Sequence, residues 1–179
     1  MNGFVSNRRA TARLLRCQWS RAFGAYNNVM RTWTEKDFDQ LGWHDNYIHS
    51  LSIREGEYGS GDLILDIDFI LEWYCPPGQI CEFLISPATL TFHSVTDLQL
   101  HIDYAGSSAA TSPMSIDGIE REVRVYPNGH STNSWKIPIN WPAGHITFLA
   151  SGFMQALRGT PIKTTEQCLK PSQRNTQCE

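Results

Sequence analysis

The feature that most constrains this chain is a two-residue alternation of side chains between Leu63 and Trp73. Every odd position there is apolar, whereas Asp66, Asp68 and Glu72 occupy even positions. Successive side chains of a β-strand point to opposite faces, while a helix would scatter these acids around its circumference. We therefore predict a strand with one buried face and one solvated face.

The same alternation recurs in short segments from Asn46 to Ser151, separated by turn residues such as Pro127-Asn128-Gly129. From Thr34 to Gly42, cap residues at both ends predict one short helix. Many short strands at regular spacing are typical of closed or packed antiparallel sheets. We predict a mainly β fold: an antiparallel sandwich or open barrel of about eight strands with a short N-terminal helix.

The charge pattern divides the chain at Met30. Residues 1–29 contain five arginines and no acid, while the rest carries ten Lys or Arg against eighteen Asp or Glu. The basic leader 1–29 has three explanations: a transit peptide, a basic arm, or a start codon assigned too far upstream, which we favour. We expect one antiparallel β domain over 30–159 and an extended or disordered polar tail over 160–179.

The acidic body disfavours several function classes. It repels phosphate backbones, so we predict no nucleic-acid partner. Its longest apolar stretches are interrupted by acids, and the leader lacks the apolar core of a secretory signal, so we predict no membrane partner and a cytoplasmic location. Cys75 and Cys81 flank a turn that could join them in a disulfide, but in that compartment we expect reduced thiols.

The densest polar cluster is the segment 43–49, Trp-His-Asp-Asn-Tyr-Ile-His. Imidazole and carboxylate groups both suit zinc or non-haem iron, so His44, Asp45 and His49 are candidate metal ligands. In an extended segment His44 and His49 point to opposite faces, and their convergence requires a bend at Asp45-Asn46. The alternative is structural: His44 and Asp45 cap a turn, and His49 is partly buried in the following strand.

A second candidate site combines the acids of the 63–73 strand with a later strand. Carboxylates two residues apart can hold a cation or divide general acid from general base, and His101 and Asp103 lie on the polar face of their own strand. If the two strands are neighbours, Asp66, Asp68 and His101 form a composite binding site. The alternative is that these side chains are only the solvated side of a sheet.

No motif identifies a nucleophile, a phosphate loop or a dinucleotide site, and we predict no cofactor. The tryptophans Trp73, Trp135 and Trp141 lie near strand ends, where they could line a groove for an apolar or sugar ligand. A lipocalin-like or cupin-like pocket is therefore a third, weaker hypothesis.

The segment 43–49 resembles small bacterial proteins that begin with a Trp-His-Asp segment and continue as an antiparallel sheet. The resemblance covers Trp33 to Arg158 and includes the segments 65–68, 87–93 and 150–153. It implies an antiparallel fold and a natural start at Met30, and it assigns no activity. The His-Asp start is also similar to that of some immunity-type proteins, which neutralise bacterial toxins.

Two functional hypotheses follow. The first is a non-enzymatic β-rich binding protein whose acidic or aromatic surface meets a protein partner, such as a basic toxin. The second is a metal-dependent enzyme that uses His44, Asp45 and His49, together with Asp66 or Asp68, to activate water.

Overall fold

The computed structural model describes residues 31–105 and 112–174, so the leader 1–29 lies outside the described residues. The strands within these ranges are β1 (Thr32–Thr34), β2 (Tyr47–Glu55), β3 (Gly61–Tyr74), β4 (Glu82–Ile102), β5 (Met114–Ile116), β6 (Glu120–Val125), β7 (Ser131–Trp141), β8 (Gly144–Ala150), β9 (Gly152–Leu157) and β10 (Ile162–Thr164). Two 3-10 helices span Glu35–Gln40 and Glu57–Gly59, and the α-helix α1 spans Pro171–Arg174. Within the described ranges, no helix has the length and apolar character needed to cross a bilayer.

The fold is mainly β and antiparallel, as predicted, with ten strands in the described ranges instead of about eight. The strand order is β1-β9-β4-β3-β2-β5-β7-β6, and β8 pairs with both β4 and β7. The pairings therefore run in a circuit from β4 through β3, β2, β5, β7 and β8 back to β4. The short helix expected after Thr34 is a 3-10 turn, and the α-helix of the described chain lies near the C-terminus instead.

The main core is built from the odd positions of β3, as the alternation predicted. Leu63, Leu65 and Ile67 have no solvent exposure, and Phe92 and Trp135 from β4 and β7 pack in the same cluster. Aromatic rings meet edge to face here: the Phe92 and Trp135 centroids lie 5.1 Å apart. Such contacts add to the apolar area that stabilises the sheet.

Strand β4 runs without a break through Ser86-Pro87. Pro87 lies opposite Asp68 of β3, and the pairing continues on both sides of it. The strand changes its second neighbour from β9 to β8 between His93 and Thr96. Ser94 and Asp97 have φ values of 54° and 53° at this change. The strand therefore bends at two residues whose backbone has the left-handed conformation.

Strand β2 changes which of its side chains face the core. Ile48 is 1% exposed opposite Ile67, and beyond a register shift Leu51 lies opposite Leu65 and packs against the main core. The register of β2 against β3 shifts between Ile48 and Ser50. A bulge of this kind inserts an extra residue, so it switches which side chains face the core.

The segment 160–174 is not a disordered appendage. Strand β10 pairs with β4, and the Leu169 side chain is 2% exposed in a second apolar cluster with Ile70, Phe83 and Ile85. This segment covers the even-numbered face of β3, which had been expected to be solvated. Ile70 and Asp68 are buried beneath it for that reason.

The cysteines of the 75–81 turn form a disulfide, contrary to the reduced thiols that we expected. The sulfur atoms of Cys75 and Cys81 are bonded, with the two Cα atoms 4.2 Å apart. The turn between β3 and β4 brings the strand ends close enough for this bond. Of the cysteines in the described residues, Cys168 is the free thiol.

Candidate functional site

The site begins with a polar pair on neighbouring strands. His49 of β2 and Asp68 of β3 lie side by side because β2 pairs with β3 at Tyr47 and Asp68, next to the β2 bulge. The His49 Nε2 atom lies 2.8 Å from Asp68 Oδ2. The Asp68 side chain has no solvent exposure, and that of His49 has 18%. A carboxylate so deeply buried requires several partners.

The C-terminal segment supplies these partners. The backbone N–H of Leu169 donates to Asp68 Oδ2 over 2.7 Å, and the Arg174 guanidinium binds Asp68 Oδ1. Arg174 also binds Asp66, which in turn binds Arg158. The charged network therefore attaches the C-terminal segment to the even-numbered face of β3.

The same segment places a thiol beside the polar pair. Cys168 Sγ lies 3.8 Å from His49 Nε2. One ligand atom from each of His49, Asp68 and Cys168 lies within 4.8 Å of the other two. Burial and then the negative charge of Asp68 raise the pKa of the Cys168 thiol, while Arg174 acts in the opposite direction.

This arrangement does not favour a cysteine nucleophile. A His base takes the thiol proton at one ring nitrogen and is oriented through the other. Here Asp68 and Cys168 both contact Nε2 of His49, so the same nitrogen would serve both roles. The raised pKa of the Cys168 thiol also disfavours a thiolate at neutral pH.

The three atoms are instead suited to one shared cation. Imidazole nitrogen, carboxylate oxygen and thiolate sulfur are the ligands that zinc takes in proteins. Ligand atoms around a tetrahedral zinc ion are roughly 3.3 to 3.7 Å apart, given bond lengths of about 2.0 to 2.3 Å. The separations of 2.8 Å (Nε2 to Oδ2) and 3.8 Å (Nε2 to Sγ) lie close to that range.

Tyr47 and Asp45 lie near this cluster without belonging to it. Burial, followed by the charges of Cys168 and Asp45, raises the pKa of the Tyr47 phenol. Asp45 has φ 59° and accepts hydrogen bonds from Gln167 over 3.1 Å and Asn140 over 3.4 Å. The bend that a shared His44–His49 site would require is therefore present at Asp45, but the Asp45 carboxylate binds amide groups of other segments.

His44 does not join His49. Its imidazole is 61% exposed, with Nδ1 lying 3.1 Å from the Asp117 backbone oxygen, and its ring stacks on Trp73. The residues 44, 45 and 49 are thus not a common ligand set in the described chain. The structural alternative describes His44 better than the metal hypothesis does.

The composite site of Asp66, Asp68 and His101 is also not formed. Asp66 and Asp68 pair with Thr89 and Pro87 of β4, whereas His101 lies far along the same strand. A strand advances about 3.3 Å per residue, so the separation is large. His101 instead faces His145 of β8, with ring centroids 5.0 Å apart.

The three tryptophans do not line one groove. Trp135 is 1% exposed in the core, while Trp73 and Trp141 are 39% and 47% exposed. A depression of about 530 Å³ lies elsewhere, lined by residues that include Ser94, Tyr126 and His130. Because Trp135 is buried in the core, the three tryptophans cannot form the aromatic groove of that hypothesis.

Cys168, Arg158 and Arg174 were missed as site residues. They lie about 100 positions from Asp68 in the sequence, in segments without alternation. The one available signal was the pair of apolar residues Ile162 and Leu169 in an otherwise polar tail, which indicates burial of that segment.

The chain matches no protein-family model, and comparison with curated proteins and with solved structures finds no match either. The resemblance to Trp-His-Asp proteins and to immunity-type proteins therefore stays an expectation.

Proposed function

We propose that this protein binds one divalent transition-metal ion of the zinc type through His49, Asp68 and Cys168. The observation that carries the proposal is the convergence of nitrogen, oxygen and sulfur ligand atoms within 4.8 Å of one another. It keeps His49 and Asp68 from the metal hypothesis of the sequence analysis, omits His44 and Asp45, and adds Cys168.

The hydrogen-bond pattern supports a cation in this position. Asp68 Oδ2 accepts from Leu169 N–H and faces His49 Nε2, so an ion between these atoms would take the place of the Nε2 proton. Arg174 and Leu169 would then orient the carboxylate from the outside, as residues behind metal ligands commonly do.

Three protein ligands leave a fourth position of a tetrahedral ion for water or another small ligand. Catalytic zinc sites have this composition, whereas structural sites use four protein ligands. Metal binding also requires Cys168 to lose its proton, so affinity should rise with pH.

The proposal is tested with chelator-stripped protein, titrated with Zn²⁺ against a chromophoric competitor and separately with Co²⁺. We expect one ion per chain and a thiolate-to-cobalt charge-transfer band. Cys168→Ser should abolish that band, and His49→Gln should weaken binding by roughly tenfold or more. His44→Ala is the matched control and should bind as the wild type does.

Two results would overturn the proposal. One is a wild-type protein that binds Co²⁺ without a thiolate band, which needs no variant to interpret. The other is unchanged Zn²⁺ affinity in folded Cys168→Ser and His49→Gln proteins, with folding checked by far-ultraviolet circular dichroism.

A further inference from the structure

Strand β6 lies at one end of the strand order. It pairs along Glu120–Val125 with β7, and among residues 31–105 and 112–174 its other edge has no strand partner. Val123 and Val125 are each 67% exposed. An edge strand with exposed β-branched residues is a template for another strand.

The charges of β6 are self-complementary. Glu122 and Arg124 flank Val123, and both lie on the face of the strand opposite to the valine side chain. In an antiparallel pair of two β6 strands centred on Val123, each Glu122 faces the Arg124 of the other copy. The two Val123 side chains then face each other, and both kinds of cross-strand pair are stabilising.

The side chains are positioned for this register. The Arg124 guanidinium lies 5.2 Å from the Tyr126 ring, which holds it near the strand. The neighbouring two-fold registers are centred on Glu122 or on Arg124, and each places that residue opposite its own copy, so like charges meet.

We propose that two copies of this chain pair through β6, antiparallel about a two-fold axis at Val123, so that the sheet continues from one copy into the other. A two-fold interface uses the same surface on both subunits, as this self-complementary pattern requires. The proposal uses none of the proposed metal ligands and stands independently of them.

The test is sedimentation velocity over a concentration series of the full chain, with a charge exchange at the interface. We expect a reversible wild-type dimer. Glu122→Arg and Arg124→Glu should each weaken it roughly tenfold or more, because two attractive pairs become repulsive. The double variant should dimerise again, and the two single variants should form a mixed dimer when combined.

A wild-type chain that stays monomeric at the highest concentration reached would overturn the proposal. A monomer is the result expected if residues 1–30 of the same chain occupy the β6 edge. A dimer that is equally stable in both single variants would also overturn it and would place the interface elsewhere. Recovery of the dimer in the double variant shows that the single variants failed through charge and not through misfolding.

Discussion

The imidazole of His49 contacts the fully buried carboxylate of Asp68 at 2.8 Å, on the face of the sheet that the C-terminal segment covers. Burial of a charged group is costly unless partners compensate for it. Asp68 has three: His49 from the neighbouring strand, and Leu169 N–H and Arg174 from the C-terminal segment. The buried Asp68 carboxylate and the C-terminal segment therefore stabilise each other.

Arg174→Ala should lower the free energy of unfolding by about 3 kcal/mol, because it leaves Asp68 buried without its cation. The Arg174 side chain is 10% exposed. Arg158→Ala is the matched control: the Arg158 side chain is 44% exposed and its pair with Asp66 is nearer to solvent, so the loss should stay below about 1 kcal/mol. Urea unfolding measures both, and equal losses would contradict the role given to Arg174.

The disulfide should be a measurable part of the stability. Linking Cys75 to Cys81, six positions apart, restricts the unfolded chain, and a loop of this size contributes about 2 kcal/mol. Thermal unfolding with and without dithiothreitol should show a lower Tm for the reduced wild type. The Cys75→Ser/Cys81→Ser variant should be insensitive to the reductant, while Cys168→Ser should keep the wild-type sensitivity. A wild type that does not respond to dithiothreitol would contradict this expectation.

Two glycines should differ sharply in their tolerance of alanine. A Cβ at Gly144 would overlap the backbone carbonyl of His101 where β8 pairs with β4. Gly144→Ala should therefore destabilise the fold by about 1 to 3 kcal/mol, since the backbone must shift. The three heavy atoms nearest to a Cβ at Gly152 all belong to the exposed carboxylate of Glu35, which can rotate away. Thermal denaturation should give a higher Tm for Gly152→Ala than for Gly144→Ala, and the reverse order would refute the explanation.

Asp62 should make the stability depend on acid pH. The hydrogen bond from Arg54 at 2.5 Å, assisted by His93, lowers the pKa of the Asp62 carboxyl. Its stabilisation is therefore complete above the unfolded-state pKa of about 3.9 and is lost as pH falls through the lower folded-state pKa. Because Arg54 is 64% exposed, the effect should stay below about 1 kcal/mol.

Asp62→Asn isolates this contribution. The variant should be less stable than the wild type near pH 6, and the difference should shrink as both proteins are acidified. Chemical unfolding at a series of pH values checks it, and a difference that is constant down to acid pH would exclude Asp62 as its source.

The sequence was sufficient to predict that the odd-numbered face of β3 is buried, because the alternation of Leu63, Leu65 and Ile67 depends only on local geometry. It was not sufficient to predict the burial of the opposite face. The sequence around Asp68 is typical of a solvated acid. Asp68 is buried only because the segment 160–174 covers that face of the strand. The β2 bulge, which moves Ile48 into the core, likewise has no local signal in a strand of mixed residues.

Part of the candidate site could be predicted from the sequence. The metal hypothesis already included His49 with either Asp66 or Asp68, but it could not choose between the two acids or exclude His44, because strand adjacency was unknown. Cys168 and Arg174 required knowledge of where a polar segment returns to the sheet, which depends on the tertiary pairing of β10 with β4. The hypothesis of an acidic surface that binds a basic protein partner stays a prediction.

The attachment of residues 168–174 over Asp68 has a consequence during synthesis. The ribosome produces β2 and β3 long before it produces Cys168 and Arg174, so the nascent sheet must keep the Asp68 carboxylate hydrated until they emerge. This face of the sheet therefore closes only after residues 168–174 have been synthesised.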